Sequence, residues 1–163
     1  MAASAPVDLP YRPCVGIMVL NRDGKIFAGR RSDIPGAAWQ MPQGGIDAGE
    51  PPREAALREL VEETGIRSVR VLAETRMWLT YDYPDAVRRR SFAGRFRGQR
   101  QKWFAMRFVG DDAEIDLHGH SPEFDRWDWM LPGDLLDRII AFKRPIYDAV
   151  VREFGPWIGG NPT

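Results

Sequence analysis

The chain predicts an α/β fold, a mixed β-sheet sandwiched between α-helices, and three observations carry that expectation. Apolar β-type runs such as residues 14–20 are bounded by turn chemistry. Apolar residues recur at helical spacing around 51–64 and again near the C-terminal end. No linker-like stretch separates the two patterns, so strands and helices share one core. The chain has 163 residues, 44% hydrophobic and 28% charged, which suits one globular domain. The expected organisation is a flexible N-terminal arm over 1–10, a single domain over 11–155 and a C-terminal tail over 156–163.

In order along the chain, 14–20 reads as a strand, and Asn21-Arg22-Asp23-Gly24 supplies a hairpin turn into a second strand at 25–31. Residues 32–38 form a loop containing Pro35 and Gly36, and 39–42 is a short extended piece running into Gly44-Gly45. A helix is expected over 51–64. Pro51 and Pro52 suit its first turn, Gly65 suits the position after its end, and Leu57, Leu60, Val61 and Thr64 recur at i, i+3, i+4 and i+7. Residues 69–83 read as one long or two short strands, with further strands at 102–109 and 124–130. Helices at 132–140 and 145–154 close the chain, the second with Ile146, Ala149, Val150 and Phe154 on one face.

Composition narrows the chemistry. Lys plus Arg and Asp plus Glu each total 23, so a polyanionic partner must be sought in local clusters. The single cysteine, Cys14, excludes an intrachain disulfide and favours a cytoplasmic setting. With His118 and His120 it does not make a typical zinc site, so any metal is expected on carboxylates, as Mg²⁺ or Mn²⁺. No apolar run reaches the length of a membrane span, and the first ten residues lack signal-peptide features. Oligomeric state is left open, because the six tryptophans suit a core or an interface.

The helix at 51–64 carries an acidic cluster. With Leu57 at 0° and about 100° per residue, Leu60 and Val61 lie near −60° and 40° and form the expected buried stripe. Glu59, Glu62 and Glu63 fall on the opposite face, within an arc of about 100°. Ala55 and Ala56, one turn below, are expected to leave room beside them. Two readings are open: a solvated helix face, which costs only about 0.2–0.5 kcal/mol per like-charge pair, or a divalent-cation site.

The flanks decide between them. Residues 44–66 read GGIDAGEPPREAALRELVEETGI, which resembles the Nudix box, G-x5-E-x7-R-E-U-x-E-E-x-G-U with U apolar, at Gly44, Glu50, Arg58, Glu59, Leu60, Glu62, Glu63, Gly65 and Ile66. The resemblance implies the Nudix fold and hydrolysis of a pyrophosphate bond. It implies that Glu59, Glu62 and Glu63 hold Mg²⁺, with Mn²⁺ as a substitute and Gly44 beside the metal. Physically, Gly44 and Gly45 allow close backbone approach, Glu50 can pair with Arg58, and Leu60 and Ile66 pack the motif on the sheet. Metal-bound carboxylates would neutralise phosphate charge and activate water, and a free one would act as base. Glu59 is the first choice for base or shared ligand, and Arg58 is counted with the catalytic set.

Segments outside the box resemble the bacterial RNA pyrophosphohydrolases, or (di)nucleoside polyphosphate hydrolases. They are Tyr11-Arg12-Pro13 with Val15-Gly16-Ile17, Trp39-Gln40-Met41-Pro42-Gln43-Gly44-Gly45, Gly98-Gln99-Arg100-Gln101-Lys102-Trp103-Phe104, Ala113-Glu114-Ile115, Pro122-Glu123-Phe124-Asp125 and Phe142-Lys143-Arg144. This resemblance implies that Arg12 and Lys143 hold terminal phosphates and that Glu123 is a further acid near the metals. It also implies that Arg31 and Phe142 clamp a base, with Gln43 and Arg144 completing the substrate contacts. On sequence alone Lys143-Arg144 before a helix reads equally as an anion site or a solvated pair. Residues 88–102, RRRSFAGRFRGQRQK, with six arginines, one lysine and no acid, read as an RNA-binding segment or a flexible solvated loop. The expected activity is Mg²⁺-dependent conversion of 5′-triphosphate or diphosphate RNA to a 5′-monophosphate end. The alternative substrate is a dinucleoside polyphosphate, and a different class is a silent RNA-binding Nudix module.

Overall fold

In the computed structural model, residues 8–33, 38–119 and 123–159 are described. Residues 1–7 of the expected 1–10 arm, the loop residues Pro35 and Gly36, His120, Pro122 and the end of the expected tail lie outside them. The sheet is built from β1 (Tyr11–Leu20), β2 (Ile26–Arg31), β3 (Trp39–Gln40) and β4 (Gln43–Gly45). Helix α1 (Pro52–Thr64) precedes β5 (Val69–Glu74) and β6 (Leu79–Asp82). Helix α2 (Asp85–Arg90), β7 (Gly98–Phe108) and β8 (Phe124–Met130) follow, and α3 (Pro132–Arg138) and α4 (Arg144–Glu153) end the fold.

Strands β1 and β7 form the centre. They pair in parallel from Tyr11 opposite Gly98 to Leu20 opposite Arg107, whereas every other pairing is antiparallel. The main order is β3-β2-β1-β7-β5, with β4 also on β1, β6 on β7 and β8 on β2. Side chains of β1 alternate between two cores. Val15, Ile17 and Val19 join Ala55, Ala56 and Leu60 of α1, while Met18 and Leu20 join Leu135, Ile146, Tyr147 and Val150 of α3 and α4. Burial on both faces explains the unbroken apolar run that marked this strand in the sequence.

The hairpin into β2 closes as expected. Asn21 Oδ1 accepts the N–H groups of Asp23 and Lys25 at 3.0 and 2.9 Å, and Gly24 takes a φ of 73°. Two strands serve the 69–83 run, and β7 begins four residues earlier than the pattern predicted. Its early part is polar (Gln99, Arg100 and Gln101), so apolar alternation could not reveal it. The 88–102 run is consequently not one loop. Asp85–Arg90 is helical, with Arg88–Arg90 at the end where positive charge is favoured, and the rest enters β7. Gly98 permits the closure, since a Cβ there would lie 1.9 Å from the Tyr81 carbonyl oxygen. The segment expected as a tail from 156 stays packed through Ile158, with Trp157 edge-on to Phe154.

Candidate active site

Helix α1 ends as its sequence required: Gly65 is left-handed at φ 75° and its N–H bonds the Val61 carbonyl at 2.9 Å. Its rotation differs from the expected one. Ala55, Ala56, Leu60, Glu63 and Thr64 are buried, whereas Leu57 and Val61 are only half-buried. The small Ala55 and Ala56 face the core instead of leaving room beside the acids. They let the helix lie close to the sheet and turn Glu63, only 2% exposed, inward. The acidic face is therefore a margin of the buried face, not its opposite.

Arg58 organises this margin. Its Nε and Nη2 each donate to Glu50 at 2.8 Å, and Nη2 also donates to the Gly45 carbonyl at 2.9 Å. Its Nη1 donates to Glu59 at 2.9 Å and reaches Glu62 at 3.3 Å. Glu50 is held down at a pKa of about 2 by these bonds. Among the described residues Glu63 has one weak hydrogen-bond partner, the Gln43 N–H at 3.3 Å. Burial pushes its carboxyl well above the ordinary range, and the nearby charges of Glu123 and Glu59 push it further. Burial raises Glu59 as well, against the pull of Arg58, and raises Glu123 against Arg31 and Lys143.

Strand β4 divides the acids from a cationic cavity. A Cβ on Gly44 would lie 2.0 Å from the Glu59 carboxyl carbon, and one on Gly45 would lie 2.3 Å from Arg12 Nη2. The cavity, about 440 Å³, gathers Arg12, Arg31, Gln43, Glu123, Phe142 and Lys143 from distant parts of the chain. Lys143 is 6% exposed, and burial with Arg31 nearby lowers its pKa to about 8. Phe142 packs on Tyr81 at 5.7 Å, and Arg31 is tied to Asp33 at 2.7 Å. Arg144 is not brought in: it is exposed and only approaches Asp148, at 4.0 Å.

Sequence reasoning missed Tyr81 and Tyr83, which also line the cavity, and had Gln99 and Phe92 only within the 88–102 run read as an RNA-binding segment or a solvated loop. Tyr81 and Tyr83 are spaced two apart, the one available signal. Phe92 lies at a left-handed φ of 52° and covers the Arg12 guanidinium at 4.1 Å from its ring centre. Of the basic run, Arg90 reaches the cavity while Arg97 is paired with Asp82 at 3.0 Å.

The donors suit a divalent cation. They are hard carboxylate oxygens, and Glu63 is buried against like charges that a cation would compensate. Arg58 currently engages Glu59 and Glu62, and among the described residues no three His, Cys, Asp or Glu groups converge as a ready ligand set. Loading would therefore require carboxylates to turn from Arg58.

Fold and acidic helix together define a Nudix hydrolase: residues 10–150 match the NUDIX domain, and the chain belongs to that family. It is a Nudix pyrophosphohydrolase. The chain is 56% identical over 155 residues to a Rhodospirillum rubrum protein named RNA pyrophosphohydrolase, covering 95% of this chain and 93% of that one. A Cereibacter sphaeroides protein of the same name is 53% identical over 153 residues, covering 93% and 94%. The E. coli dihydroneopterin triphosphate pyrophosphohydrolase shares the fold at a TM-score of 0.70 and 18% identity, covering 88% of this chain and 99% of that chain. Among the described residues no helix is long and apolar enough to cross a membrane.

Proposed function

We propose that this chain is an Mg²⁺-dependent RNA pyrophosphohydrolase of the cytoplasm, converting a 5′-triphosphate or diphosphate RNA end to a monophosphate. The observation that carries the reading is the cavity itself: Arg12, Lys143, Arg31 and Phe142 line one space bordered by Glu123 and Gln43, and Gln43 bonds Glu63. A polyphosphate needs clustered cations beside a carboxylate metal site, and a first base needs a ring and a guanidinium.

Glu59, Glu62 and Glu63 would hold Mg²⁺ or its substitute Mn²⁺, with Glu123 and Gly44 adjoining. Bound there, the ion would supply charge neutralisation and an activated water. Arg12 and Lys143 hold the terminal phosphates, and Arg31 and Phe142 steady the first base. Glu59 is the first choice for base or shared ligand: left unbound by the ion, it would accept the proton of the attacking water, its basicity increased by burial. Arg58, locked to Glu50, keeps Glu59 oriented. The full carboxylate set argues against a silent RNA-binding module.

The deciding experiment offers 5′-triphosphorylated RNA and a diadenosine polyphosphate in parallel with Mg²⁺. Release of phosphate or pyrophosphate with a monophosphate RNA end is expected. Fast dinucleotide cleavage without RNA turnover would shift the reading to a dinucleoside polyphosphate hydrolase.

A further inference from the structure

Gln40, in the short strand β3, stands where two cations of the cavity meet. Lys143 Nζ donates to Gln40 Oε1 at 3.1 Å, and Arg31 Nη1 donates to the same oxygen at 3.2 Å. Gln40 is 2% exposed and fixed by its backbone opposite Gly29 of β2. Its oxygen is the one hydrogen-bond acceptor found for the Lys143 ammonium among the described residues, which leaves the remaining ammonium protons free for a ligand. The outer edge of Arg31 is taken by Asp33.

The amide orientation is dictated by charge. Turning it over would aim its NH₂ at two cations, so the oxygen faces them and Nε2 is left buried without a partner among the described residues. A buried unsatisfied donor is costly and is found where the arrangement serves something else. A glutamate here would neutralise one of the cations that it held. A neutral amide holds both and leaves their attraction for phosphate intact.

We infer that Gln40 is a positioning residue that sets Lys143 and Arg31 side by side, so that the polyphosphate end and the first base are engaged together. This rests on the phosphate and base roles given to those two residues above. Gln40 itself touches neither the reacting phosphorus nor the water in this assignment.

The test is a double-mutant cycle on triphosphorylated RNA with Mg²⁺, using Gln40→Met, Lys143→Met and the pair. Gln40→Met is expected to raise KM about tenfold with kcat changed by less than about twofold, the loss of a bond to a charged group. On the Lys143→Met background the same change should cost clearly less than in the wild type, because only the Arg31 bond remains to be lost. Gln40→Asn keeps the amide but withdraws it by one methylene; it should give a smaller loss in KM, and it carries the cycle if the methionine variant does not fold. Unchanged KM in the Gln40 variants, or losses that simply multiply, would overturn the inference while leaving the phosphate role of Lys143 standing. An unchanged KM in Lys143→Met would remove that role and the inference together.

Discussion

Arg58 grips Glu50 at two points, Nε and Nη2 each at 2.8 Å, and turns its remaining nitrogen to Glu59 at 2.9 Å and, more weakly, to Glu62. The pair ties the loop before α1 to the helix and sets the position of the candidate base. Both partners are largely shielded from solvent, so the bond is worth more than a surface ion pair.

Acid should therefore undo it in a defined window. The folded pKa of Glu50 is depressed to about 2 from its ordinary 4.5. Its contribution to stability is full above 4.5 and is lost as pH falls toward about 2. Glu50→Gln is expected to cost about 1–2 kcal/mol at neutral pH. Urea denaturation of both proteins checks this: the gap must narrow as pH is lowered through that window. A gap independent of pH counts against the assignment.

Glu63 should behave in the opposite sense. Its carboxyl is pushed upward by burial and by Glu123 and Glu59, so the folded state prefers it protonated. The group thus favours folding at low pH, and that favour disappears as pH rises through its raised folded pKa. Glu63→Gln is expected to leave metal-free stability at neutral pH unchanged or higher, while turnover falls on the order of 10²–10⁴-fold. Thermal melts without metal and single-turnover assays with it separate the two effects. Wild-type turnover in this variant would end the metal-site reading.

Gly44 and Gly49 of the box loop offer a paired contrast. Gly44→Ala places a methyl 2.0 Å from the Glu59 carboxyl carbon, so the carboxylate must swing away. Turnover should fall about 10–100-fold, the range seen when the support of a metal ligand is disturbed. Because the obstructing atom ends a side chain, stability should change by less than about 1 kcal/mol. Gly49 has φ 76° and open space around it. Gly49→Ala should instead cost about 1 kcal/mol of stability with turnover unchanged. Melting and kcat measured on both variants must show this crossing pattern.

Legibility in the sequence followed local order. The box residues lie on one helix and its flanking loops, so the resemblance to the Nudix box could name Glu59, Glu62, Glu63, Arg58 and Glu50, where helical spacing alone left a solvated face and a cation site both open. Helical geometry could not say which arc faced the sheet; only packing turned Ala55, Ala56 and Glu63 inward. The cavity unites β1, β2, the residue before β8 and the turn before α4, an assembly that no periodicity reports. Resemblance to known relatives supplied Arg12, Glu123 and Lys143. It overlooked Tyr81 and Phe92, whose contacts depend on tertiary structure, and it placed Arg144 in a site that the helix directs it away from.

Lys143 gives the last expectation, and its effect on stability has the sign of Glu50 and the opposite of Glu63. Its pKa falls from 10.5 to about 8, chiefly through burial, with Arg31 adding repulsion. Between those values the unfolded chain binds a proton that the folded chain does not, so stability rises with pH across the window. Phosphate attraction runs the other way, because the ammonium discharges as pH rises through about 8. For triphosphorylated RNA, kcat/KM should decline on that limb, since this ratio reports groups in the free enzyme. Lys143→Met should lower kcat/KM below the limb and abolish the limb itself, whereas Lys143→Arg should keep activity flat into alkaline pH. Persistence of the same alkaline decline in Lys143→Met would assign it to another group and remove Lys143 from phosphate binding.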